Sequence, residues 1–218
     1  MALIKHISFD VWNTLITPNK EFGKVRNEAI ARHFGVTVDE AKVAYKQCKT
    51  FLDNTAELVG FGMSVHNNWR LLEKTLGKSG TDLRRVIAEC NVLFSVYQPS
   101  FNDELKEELK NLKEQGYELS IKSNTNFITG TLLAEEFFSN LDVFKFQHYS
   151  DLEECAKPSA KFFGLTENNL KYDTHPEHIL HIGDNRITDG KCEVLGWKFQ
   201  YVQNPQDLLN KLKSQEIV

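Results

Sequence analysis

From Pro99 to the end of the chain, short apolar segments alternate with segments whose apolar residues recur at helical spacing. The first of the helices is predicted to begin at a cap formed by Asn102 or Asp103 and to end at Gly116. Strands follow at 117–124, 143–150, 178–184 and 198–203. Further helices follow at 127–138, 159–170, 186–195 and 205–213. This alternation predicts an α/β fold with a doubly wound parallel sheet that carries helices on both faces.

The N-terminal part of the chain has a different character. Residues 3–9 form a short apolar run that ends at Asp10, as a buried strand that enters a loop would. Residues 20–98 instead show apolar residues such as Phe22 and Val25 at helical spacing, with glycines between the helical stretches. About four amphipathic helices and no strand are predicted there. A helical block therefore interrupts the sheet after its first strand.

Composition narrows the classes of partner. The 218 residues have a net charge of −4, with 41% hydrophobic and 26% charged residues. This balance is typical of a soluble globular protein and favours neither nucleic acid nor an anionic membrane. No segment approaches the roughly 20 apolar residues that a membrane span needs. The four cysteines lack metal-site and disulfide spacing, so we expect free thiols and a cytoplasmic protein. The sequence leaves open whether the protein is a monomer or a homodimer.

Polar residues stand at the ends of three predicted strands, which is where ligands bind in an open parallel sheet. Asp10 follows the first strand, Ser123 and Asn124 end the second, and Asp184 ends the strand at 178–184. Each position alone is a weak signal, because Asp, Ser and Asn are common in turns. Together they predict one pocket that contains two carboxylates and a hydroxyl group.

Four short motifs occur in a fixed order along the chain. They are FDVWNTL with Asp10 and Thr14, SN at Ser123–Asn124, KP at Lys157–Pro158, and GDNRITD with Asp184 and Asp189. The set resembles the haloacid dehalogenase-like hydrolase superfamily over essentially the whole chain. The resemblance implies a Rossmann-like core made of residues 1–19 and 99–218. It also implies that residues 20–98 form a helical-bundle cap inserted after the first strand.

The resemblance further implies a nucleophile and a metal site. Asp10 would attack phosphorus and form a transient aspartyl-phosphate, which splits one difficult displacement into two easier ones. Because two anions must then approach each other, Mg²⁺ held by oxygen ligands is expected as cofactor. Its ligands would be Asp10, the backbone carbonyl of Trp12 and Asp184. Asp189 would act through a bound water or support the other ligands.

The remaining motif residues are expected to hold the substrate. Ser123 would donate to a phosphoryl oxygen, and Lys157 would offset the charge of the nucleophile and the phosphate. Thr14 would support the loop that follows Asp10. The expected substrate contacts are Trp12, Asn13, Ser123, Asn124 and Lys157.

Trp12 departs from the superfamily pattern. Most of its phosphatases carry a second Asp at this position, which protonates the leaving oxygen and then activates water. Indole cannot act as an acid or base near neutral pH, and loss of such a group costs about 10²–10⁴-fold in rate. A phosphatase would therefore be slow on ordinary esters, or would favour acyl phosphates.

Two alternatives stay open beside a Mg²⁺-dependent phosphatase of a small phosphorylated metabolite. A 2-haloacid dehalogenase needs no acid, and that branch has an aromatic residue where Trp12 stands. The second alternative is a phosphate-binding or regulatory protein with impaired catalysis. Asp184 favours the phosphatase, since the dehalogenase branch usually has serine there and needs no metal. That branch also has a cap arginine, whereas its nearest match here is Lys46.

Two smaller features complete the sequence predictions. The GFGM segment from Gly60 to Met63 can bend tightly, and Phe61 or Met63 could project over the pocket. His178 and His181 lie at an odd spacing in one predicted strand, which places them on opposite faces and predicts no shared metal site.

Overall fold

The computed structural model describes residues 3–170 and 174–214. The strands are β1 (His6–Phe9), β2 (Ile16–Thr17), β3 (Ser100–Phe101), β4 (Glu118–Ser123), β5 (Phe144–Tyr149), β6 (Ile179–Gly183) and β7 (Lys198–Tyr201). Five of them form one sheet in the order β5-β4-β1-β6-β7, and all neighbouring pairs are parallel. The predicted parallel α/β fold is confirmed.

Nine α-helices lie within the described residues. They are α1 (Lys20–Phe34), α2 (Val38–Val59), α3 (Val65–Thr75), α4 (Leu83–Val96), α5 (Asp103–Glu114), α6 (Gly130–Leu133), α7 (Ser150–Glu153), α8 (Ala160–Asn169) and α9 (Pro205–Lys213). A π-helical turn over Ala134–Phe138 extends α6, and 3₁₀ turns occupy Pro176–His178 and Gly190–Leu195. No helix in this part of the chain is long and apolar enough to cross a membrane.

The central strands of the sheet are buried on both faces, which explains why they read as nearly continuous apolar runs. All four residues of β1 and all five of β6 are buried. Ile7, Phe9 and Ile121 form part of one apolar cluster with the inward stripe of α5. Asn102 caps α5 by accepting hydrogen bonds from the backbone of Glu104, so the predicted start of this helix is correct.

The helix predicted over 186–195 is largely absent. The backbone instead turns after β6, because the side-chain oxygen of Asn185 accepts hydrogen bonds from the N–H groups of Ile187 and Thr188. Only the 3₁₀ turn at Gly190–Leu195 follows. An Asx-type turn competes directly with helix formation, and the sequence pattern of apolar residues does not reveal it.

The helix predicted over 127–138 begins later than expected. Thr129 caps α6, whose first residue is Gly130. The carbonyl of Phe127 accepts a hydrogen bond from the indole of Trp69 at 3.3 Å, so it is used by a distant helix instead of a local helical turn. Tertiary contact has overridden local propensity here.

Four helices occupy residues 20–98, in agreement with the sequence pattern. Their ends carry strong signals: Thr37 and Glu40 form a capping box at the start of α2, and Gly35 ends α1 in the left-handed conformation. Their apolar faces bury Ile30, Trp69 and other residues in a second cluster, which also takes in Phe127. These helices therefore have a core of their own.

A two-stranded ribbon closes the base of this helical block. β2 and β3 pair antiparallel, with Ile16 opposite Phe101 and Thr17 opposite Ser100. Neither strand was predicted, because two-residue strands contain too few positions to show a period of two. The ribbon brings the two ends of the helical block together beside the sheet.

The segment after α2 packs tightly against the loops beyond β5. Gly60 ends α2 in the left-handed conformation, and its carbonyl accepts a hydrogen bond of 2.8 Å from the N–H of Ala156. At Gly62 an added Cβ would lie only 2.2 Å from the carbonyl oxygen of Ser150. The glycine at 62 is thus required by close approach of two backbones.

We predict that Gly62→Ala destabilises the protein. The added methyl group meets backbone atoms that cannot move aside, and such overpacking typically costs about 1–3 kcal/mol. Urea denaturation followed by circular dichroism measures the change in the free energy of unfolding.

Gly164→Ala is the matched control, because Gly164 lies inside α8 with no atom within 4 Å of the added Cβ. This variant should be neutral or up to about 1 kcal/mol more stable, as alanine favours helix. Equal stability of the Gly62→Ala variant and the unmodified protein would show that the two backbones are not in close contact.

Candidate active site at the carboxyl edge of the sheet

A cavity of about 420 Å³ lies between the carboxyl edge of the sheet and the helices of residues 20–98. The sheet contributes polar side chains and the helices contribute a mixture of aromatic and charged ones. Because all five strands are parallel, the loops that follow β1, β4, β5 and β6 meet at this edge. The cavity therefore lies where the sequence predicted a ligand pocket.

Three carboxylates form a cluster on the floor of the cavity. Asp10, Asp184 and Asp189 each place a carboxylate oxygen within 4.8 Å of the other two. Asp10 follows β1 directly, and its N–H donates to the carbonyl of Ile182 in β6 at 2.9 Å. This bond extends the pairing of β1 and β6 by one residue and brings Asp10 beside Asp184.

Lys157 connects two of these carboxylates. Its Nζ lies 2.5 Å from Oδ1 of Asp10 and 2.6 Å from Oδ1 of Asp189. A third hydrogen bond, of 2.9 Å, goes to the backbone carbonyl of Lys122 in β4. With its side chain only 2% exposed, the ammonium group has protein partners for all three of its protons.

The electrostatics of the cluster follow from burial and from neighbouring charge. Burial raises the pKa of Asp10, and the positive charge of Lys157 lowers it by less than burial raises it. The negative charges of Asp189 and Asp184 raise this pKa further. Burial alone would lower the pKa of Lys157, but Asp10 and Asp189 outweigh it and raise that pKa to about 12. The ammonium therefore stays charged, and three ionised carboxylates beside it would carry two uncompensated negative charges.

Asp189 has both oxygens occupied by protein donors. Besides Lys157, His181 contacts Oδ1 at 3.0 Å and the N–H of Asn185 donates to Oδ2 at 3.0 Å. Burial would raise the pKa of Asp189, but Lys157 and His181 lower it to about 2. A side chain on Gly183 would collide with this carboxylate, since an added Cβ would lie 2.3 Å from it. Asp189 thus holds Lys157 and the turn after β6 in place.

The oxygens of Asp10 and Asp184 are less fully occupied. Oδ2 of Asp10 accepts a hydrogen bond of 3.3 Å from Thr14, and Oδ2 of Asp184 accepts one of 3.2 Å from Asn13. Asn13 adopts φ 56°, a left-handed conformation that asparagine tolerates better than most residues. Thr14, which was expected to support the loop, and Asn13, which was expected to contact the substrate, therefore both contact the acidic cluster itself.

The two expected substrate contacts at the end of β4, Ser123 and Asn124, differ in position. Asn124 lines the cavity, but its side chain is paired with the backbone of Lys157, donating to the carbonyl at 2.9 Å and accepting from the N–H at 2.8 Å. Ser123 is fully buried and lies behind the lining residues, with its hydroxyl 3.5 Å from the carbonyl of Asn124. In this structure Asn124 positions the loop that carries Lys157.

Trp12 also lines the cavity. Its indole is half-buried and packs edge-on against Phe94 with ring centroids 6.3 Å apart. The residue forms an isolated bridge with Ile16, which fixes the tight loop after Asp10. An aromatic side chain thus occupies the position that an acid would need.

The acidic cluster fits a divalent cation such as Mg²⁺. Mg²⁺ prefers oxygen ligands and is usually bound through one or two carboxylates. Asp10 and Asp184 offer such oxygens. The two positive charges of the ion would balance the two negative charges that Lys157 leaves uncompensated. Asp189 would support the site from behind, because protein donors already fill its oxygens.

Several cavity residues come from α1 and α2 and were not identified from the sequence. The lining from these helices includes Phe22, Arg26, Tyr45, Lys49, Asp53 and Glu57. Asp53 accepts a hydrogen bond of 2.7 Å from Asn126, and Glu57 one of 3.4 Å from Asn185. No motif marks these positions. Lys46, the nearest sequence match to a dehalogenase arginine, is exposed and lies outside the cavity lining.

Phe61 and Met63 both line the cavity, as the sequence suggested for the GFGM segment. Phe61 is 48% exposed, so its ring lies at the rim. His178 belongs to the 3₁₀ turn before β6 and not to the strand, whereas His181 is buried in β6 against Asp189. No motif in the sequence indicates that contact.

Many solved structures share the fold of this chain, among them the following three. YfnB of Bacillus subtilis, a HAD (haloacid dehalogenase) hydrolase bound to magnesium, is 19% identical, with 97% of this chain and 100% of that chain covered and a TM-score of 0.69. A HAD phosphatase from Thermococcus onnurineus is 16% identical, with 98% of each chain covered and a TM-score of 0.66. A dehalogenase with an intermediate complex is 18% identical, with 93% and 86% covered and a TM-score of 0.60.

At these identities the likeness shows the fold alone, and both phosphatases and dehalogenases are among the neighbours. No curated protein matches the chain significantly. The sequence pattern of the haloacid dehalogenase-like hydrolases, however, matches residues 4–189. Because this match covers most of the chain and includes the strands that carry the acidic cluster, the protein belongs to the haloacid dehalogenase-like hydrolases.

Proposed function

We propose that this hydrolase is a Mg²⁺-dependent phosphatase that acts on a small phosphorylated metabolite through a transient aspartyl-phosphate at Asp10. The observation that carries the proposal is the pairing of Asp10 with Asp184 and Lys157 on the floor of one cavity. Bound Mg²⁺ would supply positive charge to the phosphate oxygens and lower the repulsion between the phosphate and the nucleophile. A dehalogenase would gain nothing from the second carboxylate.

The chain's own residues prepare the nucleophile. Lys157 and Thr14 hold the carboxylate of Asp10 from two sides, which reduces the freedom lost on reaching the transition state. An oxygen of Asp10 forms a bond to phosphorus as the bond to the leaving oxygen breaks. Water then attacks the phosphorus, phosphate departs, and the carboxylate of Asp10 is restored.

Trp12 determines which leaving groups suit this site. Its indole N–H can donate a hydrogen bond but cannot give up a proton near neutral pH. The leaving oxygen must therefore depart with little protonation, as the carboxylate of an acyl phosphate does. We infer that acyl phosphates are turned over faster than alkyl esters.

We propose that residues 20–98 act as a cap over a core made of residues 1–19 and 99–218. Two side-chain contacts across the cavity support this arrangement, from Asp53 to Asn126 and from Glu57 to Asn185. Cap residues would then choose the substrate, while the loops of the core carry out the chemistry.

We propose a cytoplasmic location on the basis of the cysteines. Cys48, Cys90, Cys155 and Cys192 are all free and buried. Burial raises the pKa of each thiol, so they act as small apolar side chains and not as reactive thiolates. Such usage is typical of a reducing compartment.

Dehalogenation of a 2-haloacid is the second candidate. The observation that favours it is the aromatic ring of Trp12 in the cavity, because a halide needs no acid to leave. Against it stands Asp184, which would repel a carboxylate substrate close to Asp10. A protein that binds phosphate without turning it over is the third candidate, and it too would retain Lys157 and the acidic cluster.

We predict that the purified protein releases phosphate from acetyl phosphate only when Mg²⁺ is present. EDTA should abolish the release, and Asp10→Asn should reduce it to the background rate because an amide cannot attack phosphorus. Asp39→Asn makes the same chemical change on the exposed surface of α2 and should leave the rate unchanged. Phosphate is measured by a colorimetric assay.

Other outcomes would replace this proposal. Chloride release from 2-chloropropionate without metal would identify the protein as a dehalogenase. Mg²⁺ and phosphate binding by calorimetry, without turnover of any phosphate compound, would identify it as a binding protein.

A second prediction concerns Trp12→Asp. This variant should raise kcat/KM on alkyl phosphates such as glycerol 3-phosphate by about 10²-fold or more, because a carboxyl group can protonate the leaving alkoxide. The value of kcat/KM on acetyl phosphate should change much less, since its leaving group needs no proton and kcat/KM does not include the later attack of water.

Trp12→Phe is the matched control, because it keeps an aromatic ring and adds no acid. It should leave the ratio of the two rates close to that of the unmodified protein. An equal effect of Trp12→Asp on both substrates would mean that proton donation at this position does not limit turnover.

A further inference from the structure

Arg26 is a cation of the cavity wall that has no carboxylate partner among the described residues. Three basic side chains line the cavity: Arg26, Lys49 and Lys157. Lys49 pairs with Asp53 at 2.5 Å, and Lys157 pairs with two carboxylates of the acidic cluster. For Arg26, no Asp or Glu oxygen lies within 4.0 Å among residues 3–170 and 174–214.

The guanidinium of Arg26 is held in place by its neighbours. Its central carbon lies 3.4 Å from the ring centroid of Tyr45 and 5.7 Å from that of Phe22. Nε and Nη2 both donate to the side-chain oxygen of the buried Asn27, at 3.3 Å and 3.0 Å. Stacking fixes the plane of the group, and the amide fixes one edge of it.

These contacts leave donors of Arg26 available for a ligand. The Tyr45 hydroxyl can take one further donor, and the Asn27 amide oxygen uses only the Nε side of the fork. The remaining N–H groups include those on Nη1. A planar group of this kind binds carboxylates with two parallel hydrogen bonds.

We propose that Arg26 binds a second anionic group of the substrate, a carboxylate, while the phosphate lies at Asp10. The phosphate end of this inference rests on the proposed function. A carboxylate fits better than a second phosphate, because five carboxylates already line the cavity and a singly charged group meets less repulsion. These five are Asp10, Asp53, Glu57, Asp184 and Asp189. The substrate class is thus a phosphorylated small carboxylic acid, a size that a cavity of about 420 Å³ can hold.

Calorimetry on the full-length Asp10→Asn protein with Mg²⁺ tests this assignment, because the substitution prevents turnover. The ligands are three matched pairs that differ by one carboxylate: phosphoglycolate with 2-hydroxyethyl phosphate, 3-phosphoglycerate with glycerol 3-phosphate, and 4-phosphoerythronate with erythritol 4-phosphate. For at least one chain length the acid should bind about 10–100-fold more tightly than the alcohol.

Adding Arg26→Met should remove this preference and leave binding of the alcohol within about twofold, because only the carboxylate contact is lost. Arg26→Lys should retain part of the preference, since it keeps the charge but not the fork. Arg70→Met is the control, because Arg70 is an exposed cation of α3 outside the cavity lining. Circular dichroism and thermal melting establish that each variant is folded.

The inference is overturned if no acid binds better than its alcohol, or if the preference survives in Arg26→Met. Tighter binding of a bisphosphate than of any acid would overturn the choice of carboxylate. Phosphate release from acetyl phosphate by the unmodified protein, without any acid preference, removes this inference and leaves the proposed function intact. If the preference for the acid depends on Arg26 but the protein has no phosphatase activity, the carboxylate site stands and the proposed function is lost.

Discussion

The ion pairs of Lys157 with Asp10 and Asp189 join three segments that are far apart in the sequence. A buried ammonium group is costly unless all of its protons find partners, and here two carboxylates and a carbonyl provide them. Removing the lysine would leave two buried carboxylates facing each other. Asn124 adds two hydrogen bonds to the backbone of the same residue. The position of the Asp10 carboxylate, the proposed nucleophile, is therefore set before any substrate enters.

The parallel sheet provides the positions from which these groups converge. Neighbouring strands end at nearly the same level, so residues that follow β1 and β6 meet although more than 170 positions separate them in the chain. Gly183 lets the carboxylate of Asp189 approach the strand closely. Asp184 is left nearer the cavity, and Asn13 is its only side-chain donor within the described part of the chain. Asp189 thus holds the floor of the cavity in place, and Asp10 and Asp184 offer oxygens to the cavity.

Much of the fold could be predicted because its signals are local. Apolar runs that end in polar residues identified the strands of the sheet, and the motif residues Asp10, Asp184 and Asp189 do lie together. The turn after β6 was missed because a single side chain, Asn185, controls it. Arg26 was missed because its place in the cavity depends on how α1 packs against α2. Such tertiary positions leave no period and no motif in the sequence.

The ribbon formed by β2 and β3 bears on how the chain folds. Pairing β1 with β4 brings His6 opposite Glu118, so a long stretch of chain must be closed into a loop. The helices between β1 and β4 pack around a cluster made mostly of their own residues. Pairing of Ile16 with Phe101 brings the two ends of this helical block together. Once this has happened, the loop that remains to be closed is roughly a quarter as long, which lowers its entropic cost by on the order of 1 kcal/mol. If the helices fold early, they shorten the loop between β1 and β4 and so speed assembly of the sheet.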